Sequence, residues 1–343
     1  MASVDVVVPC YNYGHFLGDC IASILTQKGV DLRVLVIDNA SKDDSVAIAR
    51  NLAAQDRRIE ILAHATNKGA TFSYNEGIDW GASEYFLILD ADDALAPGAL
   101  ARAAAVLDRR PDISFTHGIE ARLEANGVVR SQAAKPRGPQ VEVTRGVEFI
   151  QRLCRIPVNN IGANTVIRRM SAQKQAGYYR ASLPYTDDLE MWLRLATLGD
   201  VASIKIPQAI RRYHSSRMSV DYEQLRDFTE REAAFESFFA NEGRAIPSAE
   251  LLMAKARRGL GEHAYWSAIS HFFRGQGRTG ADLLRLSHRW RPNAALLPPL
   301  QWILKMDRPL ERAAEIVSEM PPLRRWIAAG KEESGGPDIS AAR

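Results

Sequence analysis

Three carboxylates crowd four residues of this chain: Asp90, Asp92 and Asp93 in "LDADD". An apolar run, Tyr85 to Leu89, delivers them to the end of a buried strand. Like charges this close raise one another's pKa, so folding alone gives no reason for the group. Oxygen ligands arranged this way suit a hard divalent cation. Three more polar clusters precede them: Pro9-Cys10-Tyr11-Asn12, Asp38-Asn39-Ala40-Ser41 and Asn67-Lys68-Gly69. Tyr11 can stack on a base, Asp38 can accept from a base N–H, and Lys68 can meet phosphate. The four clusters together describe a site for a nucleoside diphosphate.

For these clusters to meet, each must follow a strand of one parallel sheet, because ligands bind outside the carboxyl ends of such strands. The patterning meets that demand. Strands are predicted over 4–10, 32–38, 59–63 and 85–89, and helices over 15–27, 42–55, 69–81 and 97–110. In the first helix Phe16, Cys20, Ile21, Ile24 and Leu25 share a face, and Pro97 suits a first helical turn. This alternation predicts an α/β fold, Rossmann-like, with a mostly parallel sheet flanked by helices. The rhythm then changes. Residues 112–118 and 119–132 read as strands, the second broken by a hairpin signal at Asn126-Gly127. Residues 134–143 read as a polar Pro/Gly loop, 162–169 as a strand, 187–199 as an amphipathic helix and 201–207 as a strand. From about Asp221 the pattern is helical, and the polar, Gly-rich stretch 331–343 reads as a disordered tail. The expected organisation is a catalytic domain over 1–220, a helical C-terminal region over 221–330, and that tail.

Composition narrows the class. A net charge of +3 over 343 residues is too small to argue for nucleic acid. The cysteines Cys10, Cys20 and Cys154 have neither metal-type spacing nor an even framework, so free thiols and a cytoplasmic setting are expected. The N-terminus has no signal-peptide pattern, and no apolar run approaches a membrane span.

The segments "VVVPCYNYGHFLGDCIASILTQ", "VLVIDNASKDDS", "NKGATFSYNEGI" and "FLILDADD" resemble the family 2 glycosyltransferases, over roughly residues 3–220. The resemblance implies a GT-A fold, a nucleotide-sugar donor, a divalent metal such as Mn²⁺ or Mg²⁺, and inversion at the anomeric carbon. By position, Pro9, Tyr11, Asn12 and Asp38 match the nucleoside pocket, and Lys68-Gly69 the donor-side loop. Asp90-Ala91-Asp92 matches the Asp-x-Asp motif, with Asp90 near the ribose and Asp92 on the metal. "YTDDLEMWLRLATLG" resembles the family's Glu-Asp motif, with Asp187 in place of the Glu and Asp188 aligned with the catalytic base. A helix N-terminus would favour its ionised form. His214 falls where the family often has a late histidine beside the metal, and Asn160 to Asn164 fits a loop lining the acceptor side. Trp192 reads as core or acceptor wall. One departure stands out: many members carry Asp-Gly after the position of Asp38, where this chain has Asn39-Ala40. A thymidine donor is therefore as thinkable as a uridine one.

The expected reaction is transfer of a sugar to a glycan or lipid-linked glycan. Two alternatives are a catalytically inactive nucleotide- or glycan-binding module and a sugar-phosphate nucleotidyltransferase. The latter would need a Gly-rich phosphate loop, which "PCYNYGHFLG" is not. Residues 251–310 carry ten Lys/Arg against three acids, with frequent aromatics. Such helices either pack as a bundle with a solvated basic face or lie on anionic lipid at the inner face of the membrane.

Overall fold

The computed structural model describes residues 1–123, 129–131, 139–212, 224–292 and 298–305. His214, the Asn126-Gly127 turn and the 331–343 tail lie outside them. The chain forms two compact units. The first comprises Met1–Leu153, Val158–Tyr222 and Ala233–Ala249, and the second Cys154–Pro157, Glu223–Glu232 and Glu250–Arg343.

The first unit is built on one sheet. Strands β1 (Ser3–Cys10), β2 (Asp31–Asp38), β3 (Ile59–Ala63) and β4 (Tyr85–Ile88) alternate with helices α1 (Gly14–Leu25), α2 (Ser45–Gln55) and α3 (Ala70–Trp80). β1 pairs in parallel with β2 and β4, and β2 with β3. Val4, Val6, Val8, Val34, Val36 and Leu87 pack with Leu17, Ile21 and Ile24 of α1 in one apolar core. β-branched residues on a sheet buried on both faces account for these near-continuous apolar runs. On the other face, Gly77 of α3 lies so close to β1 that a Cβ there would stand 2.6 Å from the Val7 side chain. Any larger residue would push α3 off the sheet.

Beyond β4 come β5 (Ala94–Leu95), α4 (Ala99–Arg109), β6 (Ile113–Leu123), β7 (Val129–Ser131), β8 (Val141–Thr144) and α5 (Gly146–Arg155). They are followed by β9 (Ile167–Arg169), α6 (Met170–Ala176), α7 (Asp187–Thr197), β10 (Asp200–Arg212) and α8 (Gln224–Ala240). The sheet order is β3-β2-β1-β4-β9-β6-β10-β5, with β7 on β6 and β8 on β10. β9 runs antiparallel to both β4 and β6, whereas β10 and β6 are parallel.

Several expectations change here. Residues 113–123 form one strand, because nothing turns the chain between the two segments read separately. Val141–Thr144 leaves the expected loop to pair with β10. The segment 162–169 is a strand only from Ile167, since Ala163–Thr165 is a 3₁₀ turn. Thr165 explains it: its Oγ1 and N–H both donate to the Gly162 carbonyl, at 2.7 and 2.9 Å. Local bonds of this kind compete with a strand ladder.

In the second unit, α9 (Ala249–Phe273) and α10 (Gly277–Trp290) close on Phe228, Leu260, Ala264, Ala268 and Leu283. Ser287 Oγ donates to the Gly261 carbonyl at 2.8 Å. Glu232 accepts from Trp290 Nε1 at 2.7 Å and from Arg257 at 3.1 Å. Among the described residues no helix is long and apolar enough to cross a membrane.

Candidate active site

The parallel register aligns the ends of β1, β2 and β3: Cys10 pairs with Asp38, and Asp38 with Ala63. Backbone bonds carry this alignment past the strand ends. Asn39 N–H donates to the Cys10 carbonyl, His64 N–H to Asp38, and Leu89 N–H to Val7, each at 2.9 Å. The four polar clusters therefore lie along one sheet edge.

Asp38 is buried, and among the described residues only one of its oxygens is used: Oδ2 accepts from Ser41 N–H at 3.0 Å, while Oδ1 has no partner. A buried acceptor left short costs free energy unless a ligand supplies the donor. Tyr11, which follows the register partner of Asp38, stands 40% exposed, with Pro9 half-buried. Asn12 has a framing role. Its N–H donates to Ser41 Oγ at 2.9 Å and its Oδ1 accepts from Lys42 N–H at 2.8 Å, so it ties the two loops together.

Asn39, the departure from the family pattern, is an anchor. Its Oδ1 accepts from Lys68 N–H at 2.8 Å and meets His64 Nδ1 at 3.0 Å, and its Nδ2 donates to Asn67 Oδ1 at 2.9 Å. The Asn67-Lys68-Gly69 loop is thereby held against the end of β2. Gly69 turns into α3 at φ +86°, a conformation L side chains rarely adopt. The Lys68 ammonium lies 3.7 Å from Glu76 and 4.3 Å from the centre of the Phe72 ring.

Asp90, Asp92 and Asp93 bring carboxylate oxygens within 4.8 Å of one another. This is a hard-donor set that fits a divalent cation. Asp93 also supports the frame: Asn164 Nδ2 donates to its Oδ2 at 2.6 Å, and Arg212 N–H to its Oδ1 at 3.1 Å. Asn164, in the loop expected on the acceptor side, gives its amide N–H to Asp93.

Asp187 begins α7 rather than capping it; Thr186 is the N-cap. Its Oδ1 accepts from Asp188 N–H at 3.0 Å, and Thr71 Oγ1 lies 3.5 Å from its Oδ2. Burial, then the neighbouring charge of Asp188, and further that of Asp90, push Asp187 well above the usual carboxylate range. Burial likewise pushes Asp188 up to about 6, against the opposing pull of Arg168. Desolvation thus outweighs the helix N-terminus that was expected to keep this acid strongly ionised. Arg168 is fully buried, its guanidinium 5.1 to 5.7 Å from the ring centres of Phe86, Trp192 and Tyr179, and it donates to the Tyr179 hydroxyl at 2.7 Å. Trp192 is core, stacked 5.8 Å from Phe115. Glu190, also buried, pairs with Arg194 at 2.7 Å and with Arg180, which reaches on to Glu242 at 2.6 Å. These pairs hold α7 in place.

Sequence reasoning passed over Thr71, Tyr74, Asn75 and Arg168. The first three recur at helical spacing on one face, a polar stripe on a helix whose Gly77 marks close packing. Arg168 gave no signal of its own, being a charged residue within the expected 162–169 strand.

A mixed sheet with nucleotide-type polar clusters along one parallel edge, an Asp-x-Asp group and a second acid pair defines a glycosyltransferase of GT-A fold. The family model described as Glycosyl transferase family 2 matches residues 5–175. The chain belongs to that family. An uncharacterized glycosyltransferase of Haemophilus influenzae is 25% identical over 226 residues, covering 64% of this chain and 68% of that one. A Campylobacter jejuni protein named GalNAc(5)-diNAcBac-PP-undecaprenol beta-1,3-glucosyltransferase is 36% identical over 101 residues, covering 29% of this chain and 33% of that one. Two solved structures share the fold. TarS of S. aureus, residues 1–349 with UDP-GlcNAc, gives a TM-score of 0.61 at 16% identity, covering 94% of this chain and 82% of that chain. Mannosyltransferase PcManGT of Pyrobaculum calidifontis, with GDP-Man and Mn²⁺, gives 0.54 at 17% identity, with the same two coverages.

Proposed function

We propose that the protein transfers a sugar, with inversion, from a nucleoside diphosphate to a hydroxyl of a glycan or lipid-linked glycan. Asp188 is the general base and Mn²⁺ or Mg²⁺ the cofactor. The observation that carries this reading is the presence of two unlike acid groups at one site. Asp90 and Asp92 belong to a hard-donor cluster. Asp188, half-buried beside buried Asp187, is pushed up to about 6. A base must be able to take up and release a proton in the working range, and an acid near pKa 6 can.

In the proposed step the acceptor oxygen bonds to the anomeric carbon as the bond from that carbon to the diphosphate oxygen breaks. The acceptor proton passes to Asp188, and the nucleoside diphosphate leaves. Asp92 would hold the metal, with Asp90 toward the ribose and His214 a further ligand; the metal supplies Lewis-acid charge to the diphosphate. The unmatched Oδ1 of Asp38 suits a base N–H, and Tyr11 suits the base face. The donor-bound neighbours and the undecaprenol-linked substrate in the Campylobacter name support donor and acceptor classes of this kind. We place the enzyme in the cytoplasm, in polysaccharide or glycoconjugate assembly, with the basic second unit suited to the inner membrane face.

The test is a thermal-shift series with UDP, GDP and TDP, each with and without Mn²⁺. Ligand at about 100 times its Kd should stabilise by roughly 2.7 kcal/mol. Asp92→Ala should lose the Mn²⁺-dependent part. A full metal-dependent shift in Asp92→Ala would move the metal to other residues.

A further inference from the structure

The His64 ring ties the ends of β2 and β3 to α3. Its side chain is 3% exposed. Nδ1 lies 3.0 Å from Asn39 Oδ1, and Nε2 lies 2.5 Å from Glu76 Oε2. The Phe72 ring packs edge-on, 5.8 Å between centres. On the β2 side the Asp38 carbonyl accepts the His64 backbone N–H at 2.9 Å. On the α3 side the Lys68 ammonium stands 3.7 Å from the second Glu76 oxygen.

These neighbours decide which ring nitrogens carry protons. Asn39 Oδ1 accepts from Lys68 N–H at 2.8 Å, while Asn39 Nδ2 donates to Asn67 Oδ1 at 2.9 Å. Gly69 N–H donates to that same Asn67 oxygen at 2.9 Å, which fixes both amides. The Asn39 atom facing His64 is therefore an acceptor, and Nδ1 must donate to it. Glu76 presents carboxylate oxygens on the other side. Neutral imidazole has a single N–H. It could donate to Asn39 and set a bare Nε2 lone pair against Glu76, or donate to Glu76 and set a bare lone pair against Asn39. Keeping both contacts takes a second proton, shared between ring and carboxylate. A carboxylic acid yields its proton more readily than an imidazolium, and the Lys68 ammonium favours Glu76 in its ionised form. The second proton thus belongs to the ring.

We propose that His64 is a positioning residue for the donor-side loop. As an imidazolium bridging Asn39 and Glu76, it steadies the amide that holds Asn67-Lys68-Gly69 in place for the diphosphate. Raising the pH removes the proton, and one of the two contacts then turns repulsive. This rests on the reading of that loop as the place where Lys68 meets phosphate. The opposing view is a neutral histidine that only fills space beside Phe72.

Glu76→Gln separates the two views. Its amide N–H can donate to the bare Nε2 of a neutral ring, so both contacts survive with no proton to lose. The tightest of UDP, TDP and GDP on the wild type is titrated in Mn²⁺ by calorimetry into wild type, Glu76→Gln and His64→Gln, from about pH 6 to about pH 9. Ligand and metal cluster titrate alike in all three, so the readout is the wild-type dissociation constant divided by that of Glu76→Gln. This ratio should rise roughly 3- to 10-fold from the low to the high end, the worth of one hydrogen bond. His64→Gln should bind more weakly than wild type at the low end by a similar factor. Imidazole ¹⁵N spectra, with the His64 signals identified by their loss in His64→Gln, should show both nitrogens protonated in wild type at the low end and Nδ1 alone in Glu76→Gln. Melting temperatures are measured alongside; if His64→Gln does not fold, the ratio from Glu76→Gln still decides. A ratio that is flat with pH, a wild-type His64 with a bare ring nitrogen throughout, or a His64→Gln that binds as wild type would each overturn the proposal. Wild-type protein that binds no diphosphate would overturn the donor-loop reading as well, an outcome separate from a flat ratio on a working site.

Discussion

Asp5 and Asp38 are buried acids on neighbouring strands of one sheet, and their surroundings are opposite. Asp5, toward the start of β1, is fully buried yet saturated. Arg33 binds both its oxygens at 2.9 and 3.0 Å, and Ala82 N–H, Ser83 N–H and Ser83 Oγ donate at 2.6 to 2.7 Å. Burial alone would raise its pKa; the Arg33 pair and the Ala82 and Ser83 donors hold it below the usual range instead. Asp38, at the end of β2, keeps one oxygen without a partner among the described residues, and Asp188 is raised to about 6. An acid whose lone pairs are met by the fold belongs to the fold. Acids left short gather where a ligand is expected to complete them.

The largest effect should come from Asp188. A general base contributes roughly 10² to 10⁴ in rate. Asp188→Asn should lose transfer by about that factor while binding diphosphate and metal nearly as wild type. Asp187→Asn should cost less. In wild type, kcat/KM for transfer should rise as pH passes through about 6 and level off above it, because the base works unprotonated. A pH–rate series with metal saturating checks the limb, which should vanish in Asp188→Asn. Retained transfer in Asp188→Asn with a dead Asp187→Asn would move the base one residue earlier.

Stability should separate the two kinds of acid by sign. Asp5 is depressed, so its contribution is complete above the unfolded value of about 3.9 and is lost as pH falls through the folded one. Asp5→Asn breaks that network and should cost about 3 kcal/mol at pH 7. Asp188 is raised, so the unliganded fold loses stability as pH climbs from about 4 to about 6. Asp188→Asn should therefore stabilise the unliganded protein at pH 7, by roughly 1–2 kcal/mol. Chemical denaturation of both variants at pH 7 is the check. Destabilisation of equal size in both would mean that Asp188 is as satisfied as Asp5.

Much of this was legible in the sequence. The first four strands and three helices carry their own patterning, in β-branched runs and turn residues, and their order already implied a shared edge. What followed was written in tertiary contacts. α5 and α6 are short, and β5 is two residues long. Neither α6 nor β5 has enough local signal to be seen without its partners, whereas α5 carries Phe149, Ile150, Leu153 and Cys154 at helical spacing and was passed over. The acids of the site were visible as acids, but not the difference between Asp93, which supports Asn164 and Arg212, and its neighbours.

The smallest effect tests the other departure, Ala40. Its φ is +63°, in the left-handed region, and Asn12 at +59° faces the same cost across the loop. Asn tolerates that region better than most residues, and Asn12 is held there by accepting from Lys42 N–H of the neighbouring loop. Alanine has no such help and pays about 1–2 kcal/mol for it. The conformation persists because the loop is fixed at both ends, by Ser41 N–H on Asp38 and by Asn39 on Asn67 and Lys68. Where the family pattern has glycine the same turn is unstrained. Ala40→Gly should therefore relieve that strain, offset in part by the extra freedom glycine gives the unfolded chain, for a net gain of about 0.5–1 kcal/mol. The comparison with Asp5 is direct: one substitution loosens a saturated support, the other relaxes a strained site loop. Equilibrium denaturation of Ala40→Gly reads the gain, and diphosphate affinity should stay within about twofold, because the side chains that frame the pocket are untouched. A loss of stability would show that Ala40 is held by its methyl packing rather than against its backbone preference.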